Sequence, residues 1–170
     1  MKNTFLKHLG LFVIVAFVGI IINSCGDDTT TNNNTNPTYD ANSINGTVTF
    51  VDSNFEATDS ASGSYLISAF PETGWPPTGG PTAYATINIV PGQLAYNYKL
   101  VGLNDGNYVV SVGYRKATGG QSPIMGIYGC DTSHSFTCLL TPTLKAQITN
   151  NAGVGNINFL SWSDTAMKIY

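Results

Sequence analysis

The chain has 170 residues, the length of a single domain. Only 10% of them are charged, against roughly 25% in an average soluble protein, which leaves little material for Glu/Lys-rich surface helices. Seven Lys/Arg against ten Asp/Glu give a net charge of −3, so there is no basic surface to neutralise phosphates, and nucleic-acid binding is disfavoured.

Lys2, Lys7 and His8 form a positive start, and residues 9–22 then run without a charge. That run falls short of the about 20 residues that cross a bilayer core, but it fits the apolar region of a secretory signal. Ile22-Asn23-Ser24-Cys25 follows. This resembles the lipobox of bacterial lipoproteins, whose Cys is acylated and becomes the mature N-terminus; Asn23 departs from the strictest pattern, which prefers a small or β-branched residue there. The resemblance implies a signal peptide over residues 1–24, lipidation at Cys25 and a membrane held through the lipid anchor. With Lys2 and Lys7 gone, five Lys/Arg face ten Asp/Glu. Gly26-Asp27-Asp28 resembles the acidic signal that carries lipoproteins of Bacteroidetes-type bacteria to the cell surface. The implied address is the cell envelope, as an outer-membrane lipoprotein facing outward.

Residues 29–43 are mostly Thr and Asn and contain almost nothing that can be buried. Such a segment does not offset its ordering entropy, so residues 25–43 read as a lipidated Cys on a polar tether. The folded domain is expected over residues 44–170.

Alternation of apolar and polar residues with period 2 fills that domain. Ile44, Gly46, Val48 and Phe50 share one face. Tyr65, Ile67 and Ala69 alternate with Leu66, Ser68 and Phe70, and Ala85, Ile87 and Ile89 with Tyr84, Thr86 and Asn88. Tyr96, Tyr98 and Leu100 make a fourth stripe; Tyr108, Val110, Val112 and Tyr114 make a fifth, with Val109 on the solvent side. Shorter candidates cover 124–128, 144–148 and 155–160. No window carries a helical apolar stripe. Seven to eight short strands, roughly, parted by Gly/Pro/Asn/Asp turns predict an all-β fold, a single antiparallel sandwich.

The firmest local unit is a hairpin of 96–103 with 107–115, closed by Asp105-Gly106 in a type I′ turn. Its Gly102-Leu103-Asn104-Asp105-Gly106-Asn107-Tyr108 resembles the G-L-x-x-G-x-Y turn of carboxypeptidase-regulatory-like and collagen-adhesin B-type domains. Ile44-Asn45-Gly46-Thr47-Val48 resembles their first strand, and Gly155-Asn156-Ile157-Asn158-Phe159 their last. The resemblance implies a transthyretin-like (prealbumin-like) β-sandwich in which Gly102, Leu103 and Gly106 shape the turn. It also implies that Tyr108 is a core residue whose hydroxyl reaches backbone. Residues 70–95 carry no such signature.

Chemistry is sparse. Once the signal is removed His134 is the sole histidine, no G-x-S-x-G elbow occurs, and most Asp residues sit in predicted turns. Neither a catalytic residue nor a cofactor is assigned. Cys130 and Cys138 are read as a disulfide in an exported protein, in preference to zinc on Cys130, His134 and Cys138, which supplies three ligands where structural zinc takes four. Asp52, Asn54, Glu56 and Asp59 gather oxygens in one loop, but Ala57 stands where an EF-hand has Gly, so a solvated turn is preferred to calcium. The loop 71–81, rich in Pro and Gly, holds Trp75. That Trp is expected to fold back and cap an open end of the sandwich, the rival being an exposed ring that, with Tyr84, stacks on a sugar. Trp162 is expected to close the core after the last strand.

These readings converge on a non-catalytic, lipid-anchored binding or structural module, recognising an envelope protein or mediating adhesion. A carbohydrate-binding module using Trp75 and Tyr84 is the alternative, and a hydrolase with a site assembled from distant loops is a remote third.

Overall fold

The computed structural model describes residues 38–58 and 61–170. The signal peptide, the lipobox with Cys25, most of the tether and Asp59 lie outside the described residues.

Eight strands form: β1 (Ser43–Phe50), β2 (Gly63–Pro71), β3 (Ala83–Ile87), β4 (Ala95–Val101), β5 (Gly106–Lys116), β6 (Ile124–Ile127), β7 (Ala146–Ile148) and β8 (Phe159–Ser161). They build two sheets, one ordered β4-β1-β8, the other β3-β2-β5-β6 with β7 alongside the first residues of β5. The fold is an all-β sandwich. One pair departs from antiparallel order, since β8 runs parallel to β1. A parallel neighbour cannot be reached through a hairpin and needs a crossover; β8 arrives at β1 by a long connection from the other sheet.

The expected stripes meet between the sheets. Ile44, Val48 and Phe50 of β1 with Tyr96, Tyr98 and Leu100 of β4 pack on Tyr65, Ile67 and Ala69 of β2 and on Tyr108, Val110, Val112 and Tyr114 of β5. Rings are set edge to face: Phe50 lies 5.5 Å from Tyr65 and 4.9 Å from Phe55, the arrangement that aromatic quadrupoles favour. Gly46 is required by close approach. A Cβ there would stand 2.0 Å from the carbonyl oxygen of Ile157, the residue whose oxygen also accepts the Tyr98 hydroxyl at 2.6 Å. N-terminal to β1, Asp40 pairs with Lys99 and the Tyr39 ring lies over Gly155, so tertiary contacts extend back beyond residue 44.

Two sequence readings are corrected. The hairpin of 96–103 with 107–115 does not form, because β4 pairs with β1 and β5 with β2, β6 and β7. The segment between β4 and β5 crosses from one sheet to the other. Asp105 does not close a type I′ turn; its carboxylate accepts from the backbone N–H groups of Asn150 and Asn151 at 2.8 and 2.7 Å, holding two residues with φ of 54° and 58°. The other correction concerns Val109. It is 1% exposed and joins a second apolar cluster with Ile124, Ile127, Cys130 and Leu139, to which Trp75 and Ile169 also pack. Between Tyr108 and Ser111, strand β5 is therefore buried on both faces.

Candidate ligand-binding face

Among the described residues, the outward face of the β3-β2-β5-β6 sheet is covered at one end. The cover is the segment that follows β6. Cys130 and Cys138 are joined by a disulfide, their Cα atoms 5.9 Å apart and within the range such bridges adopt. Cys138 lies in a one-turn helix, α1 (Phe136–Leu140), so the bridged segment is not wholly loop. Ser135 starts the helix, its hydroxyl accepting from the Cys138 N–H at 3.3 Å. The His134 ring is no partner of the sulfurs; one ring nitrogen lies 3.2 Å from the Met167 carbonyl oxygen and the ring sits 6.3 Å from that of Trp162. Among the described residues no group of three or more His, Cys, Asp or Glu is arranged to hold a metal ion.

Trp75 completes that cover. Pro71 and the 3-10 turn Glu72–Gly74 bring the chain back across the end of β2 and β5, where Glu72 receives Lys145 at 2.9 Å and Asn107 at 3.0 Å. The Lys145 ammonium, then the Asn107 amide, hold the Glu72 carboxyl below its ordinary value. Half-buried, the Trp75 ring then stands 5.6 Å from Phe70, with its indole N–H on the Leu139 carbonyl oxygen. Trp162 is half-buried too, packed against the main core and donating to the Thr132 carbonyl at 3.2 Å.

Tyr84 is not part of this cover. It is 59% exposed on the outward face of β3, opposite Ser68 in register. A concavity of about 540 Å³ opens beside it, lined by Ser64, Leu66, Thr86, Arg115 and Lys116 among others. Of the two aromatics expected to act together, then, only Tyr84 faces this space. Sequence reasoning does not single out Arg115 as a ligand contact; its signal is a cation at the end of a strand in a chain with few charges.

Asp52 and Glu56 serve the C-terminal segment. Asp52 accepts from the Ser163 hydroxyl, from the Ser163 N–H at 3.1 Å and from the Asn54 N–H at 2.9 Å. Burial alone raises its carboxyl, but these hydrogen bonds together outweigh it and hold the group below its ordinary value. Glu56 accepts from the Thr165 hydroxyl. Tyr65, fully buried, donates to the Ser163 carbonyl and accepts from the Glu56 N–H at 2.9 Å; burial pushes its hydroxyl up.

The turn before β5 is set by its ends. Gly102 and Gly106 have φ of 75° and 152°, conformations that L side chains resist. Between them Leu103 is fully buried, and the Tyr108 hydroxyl donates to the Asn104 carbonyl at 3.0 Å. These four residues build the fold and stand apart from the concavity.

No family model matches the chain, and neither a curated protein nor a solved structure matches it.

Proposed function

We propose that the protein is a non-catalytic binding module of the bacterial cell envelope, anchored by lipid at Cys25, with a transthyretin-like sandwich as its ligand-bearing head. One observation carries the reading: a sheet face half sealed by Trp75 and the disulfide segment, and half left to solvent around Tyr84 and Arg115. Tyr and Arg are the side chains that most often dominate recognition surfaces. The address is supported by the apolar run and lipobox of residues 1–25, and the sandwich family by the turn of residues 102–108. The non-catalytic reading draws on His134, one ring nitrogen of which lies 3.2 Å from the Met167 backbone carbonyl oxygen. A glycan is favoured over a protein partner by the company Tyr84 keeps, since the hydroxyls of Ser64 and Thr86 line the same space.

The test uses detergent-solubilised full-length protein in a pull-down from envelope fractions and on a glycan array. Saturable capture of one protein or one glycan class, lost in Tyr84→Ala and kept in Trp75→Phe, is the expected result. Turnover of a captured ligand, or capture indifferent to Tyr84→Ala, would overturn the reading.

A further inference from the structure

We infer that the open face of β3, β2 and β5 takes an acidic oligosaccharide, with Tyr84 as its stacking surface and Arg115 as its anion contact. The inference rests on the binding-module reading and specifies the ligand.

Charge placement is the starting observation. The chain carries more acids than bases, and Lys99 and Lys145 are matched by Asp40 and Glu72. Arg115 has no carboxylate partner among the described residues, and no Asp or Glu is among the described residues that line the concavity. Strand β5 turns Arg115 to this outward face, so a fold short of positive charge has set a cation beside the hollow. A cation so placed on a negative chain concentrates anions locally. The planar Arg115 guanidinium supplies paired N–H donors that match a carboxylate or a sulfate.

Strand register then sets the size of the ligand. Tyr84 lies opposite Ser68, and Arg115 opposite Ser64, four residues along β2. That offset is about 13 Å along the strand, and the two side chains stand two strands apart, about 10 Å across the sheet. A single sugar ring cannot touch both. A chain of sugars laid diagonally over Leu66 and Thr86 can, with ring C–H faces on Tyr84 and hydroxyls on Ser64 and Thr86. An acidic peptide fits less well, because the lining offers Leu66 but no apolar pocket for a side-chain anchor.

The experiment is calorimetric titration of the solubilised full-length protein with four probes: a galacturonate oligomer, its methyl ester, a heparin-derived oligosaccharide and poly-glutamate. Saturable binding of at least one acidic saccharide is expected, and which of the two binds assigns carboxylate or sulfate as the anion. Arg115→Gln and Tyr84→Ala should each weaken that binding about tenfold or more, equal to about 1.4 kcal/mol. Both residues are exposed, so the variants should melt with the parent. If poly-glutamate binds as well as the saccharides and Tyr84→Ala changes nothing, the attraction is unspecific and the inference falls. If the methyl ester binds equally, or an envelope protein is captured through Tyr84 while no acidic saccharide binds, the inference falls and the binding-module reading stands. If nothing binds through Tyr84, both fall.

Discussion

The indole N–H of Trp75 donates to the carbonyl oxygen of Leu139 at 2.6 Å, across 64 residues of sequence. Leu139 lies in the last turn of α1, where carbonyl groups have no acceptor role left within the helix. One ring thus satisfies an orphan oxygen, packs on Phe70 and seals the cluster over Val109. Trp75→Phe should lose the hydrogen bond, about 1 kcal/mol. Trp75→Ala should also open the cluster and lose about 2–4 kcal/mol, somewhat below the cost for a fully buried ring. Urea denaturation measures both, and an unchanged midpoint in Trp75→Ala would contradict the placement.

Tyr108 and Val109 are adjacent, yet both are buried, each in a different apolar cluster. Tyr108→Ala should destabilise by ~3–5 kcal/mol, and Tyr108→Phe by ~1 kcal/mol through the bond to Asn104. Val109→Thr sets a hydroxyl in an apolar cluster and should lose about 1–3 kcal/mol. A mild Val109→Thr, within about 0.5 kcal/mol of the parent as surface changes are, would place that face in solvent after all.

Why the strands were legible and their partners were not follows from these residues. Ile44, Val48 and Phe50, or Tyr96, Tyr98 and Leu100, face a core on one side and solvent on the other, and period 2 records that asymmetry directly. Pairing leaves no such trace. Asp105-Gly106 has the chemistry of a hairpin turn, but its carboxylate finds Asn150 and Asn151, and only the whole fold decides that β4 and β5 occupy different sheets. The alternation assigns Val109 to solvent. The second cover over β5 comes from Trp75 and from residues 129–140, which no local period announces. The apolar neighbours Val109-Val110 were the available hint. As for the ligand face, Tyr84 is legible as an aromatic on the polar side of its strand, whereas Arg115 joins it only through the register of β2.

The Cys130–Cys138 bridge closes a nine-residue segment, for which loop-closure entropy gives about 2–3 kcal/mol. Reduction should lower the melting temperature by that equivalent and loosen α1. Strands β1 to β5 and the core between the sheets lie outside the bridged segment, so their amides should keep most of their protection against hydrogen exchange. Collapse of protection throughout β1 and β2 would show that the bridge holds the whole sandwich.

Lipidation is checked by Cys25→Ser. If residues 1–25 form a lipoprotein signal, the variant should carry no acyl mass and should leave the membrane fraction. Unchanged fractionation, with no acyl mass on Cys25 in the parent, would remove the anchor from the proposed function.

Acid should act on the fold first through Asp52. Burial works against its charge, but the Ser163 hydroxyl and the N–H groups of Asn54 and Ser163 hold its carboxyl below the ordinary value. A carboxyl whose folded pKa is depressed stabilises the native state fully above its unfolded value of about 3.9, and that contribution disappears as pH falls through the lower, folded value. Ser163 also accepts the hydroxyl of buried Tyr65, so weakening its hold on Asp52 loosens the C-terminal segment against the core. Asp40 and Glu72 are likewise held low, but chiefly by exposed contacts with Lys99 and Lys145, and ion pairs of that kind are screened by salt. In about 0.5 M NaCl, where the Debye length is a few ångströms, Asp52 should dominate. Urea midpoints from about pH 6 to pH 2 should therefore fall more steeply for the parent than for Asp52→Asn, which is less stable at the upper end and converges with the parent at the lower. Parallel profiles would mean that the Asp52–Ser163 contact contributes nothing to the acid limb.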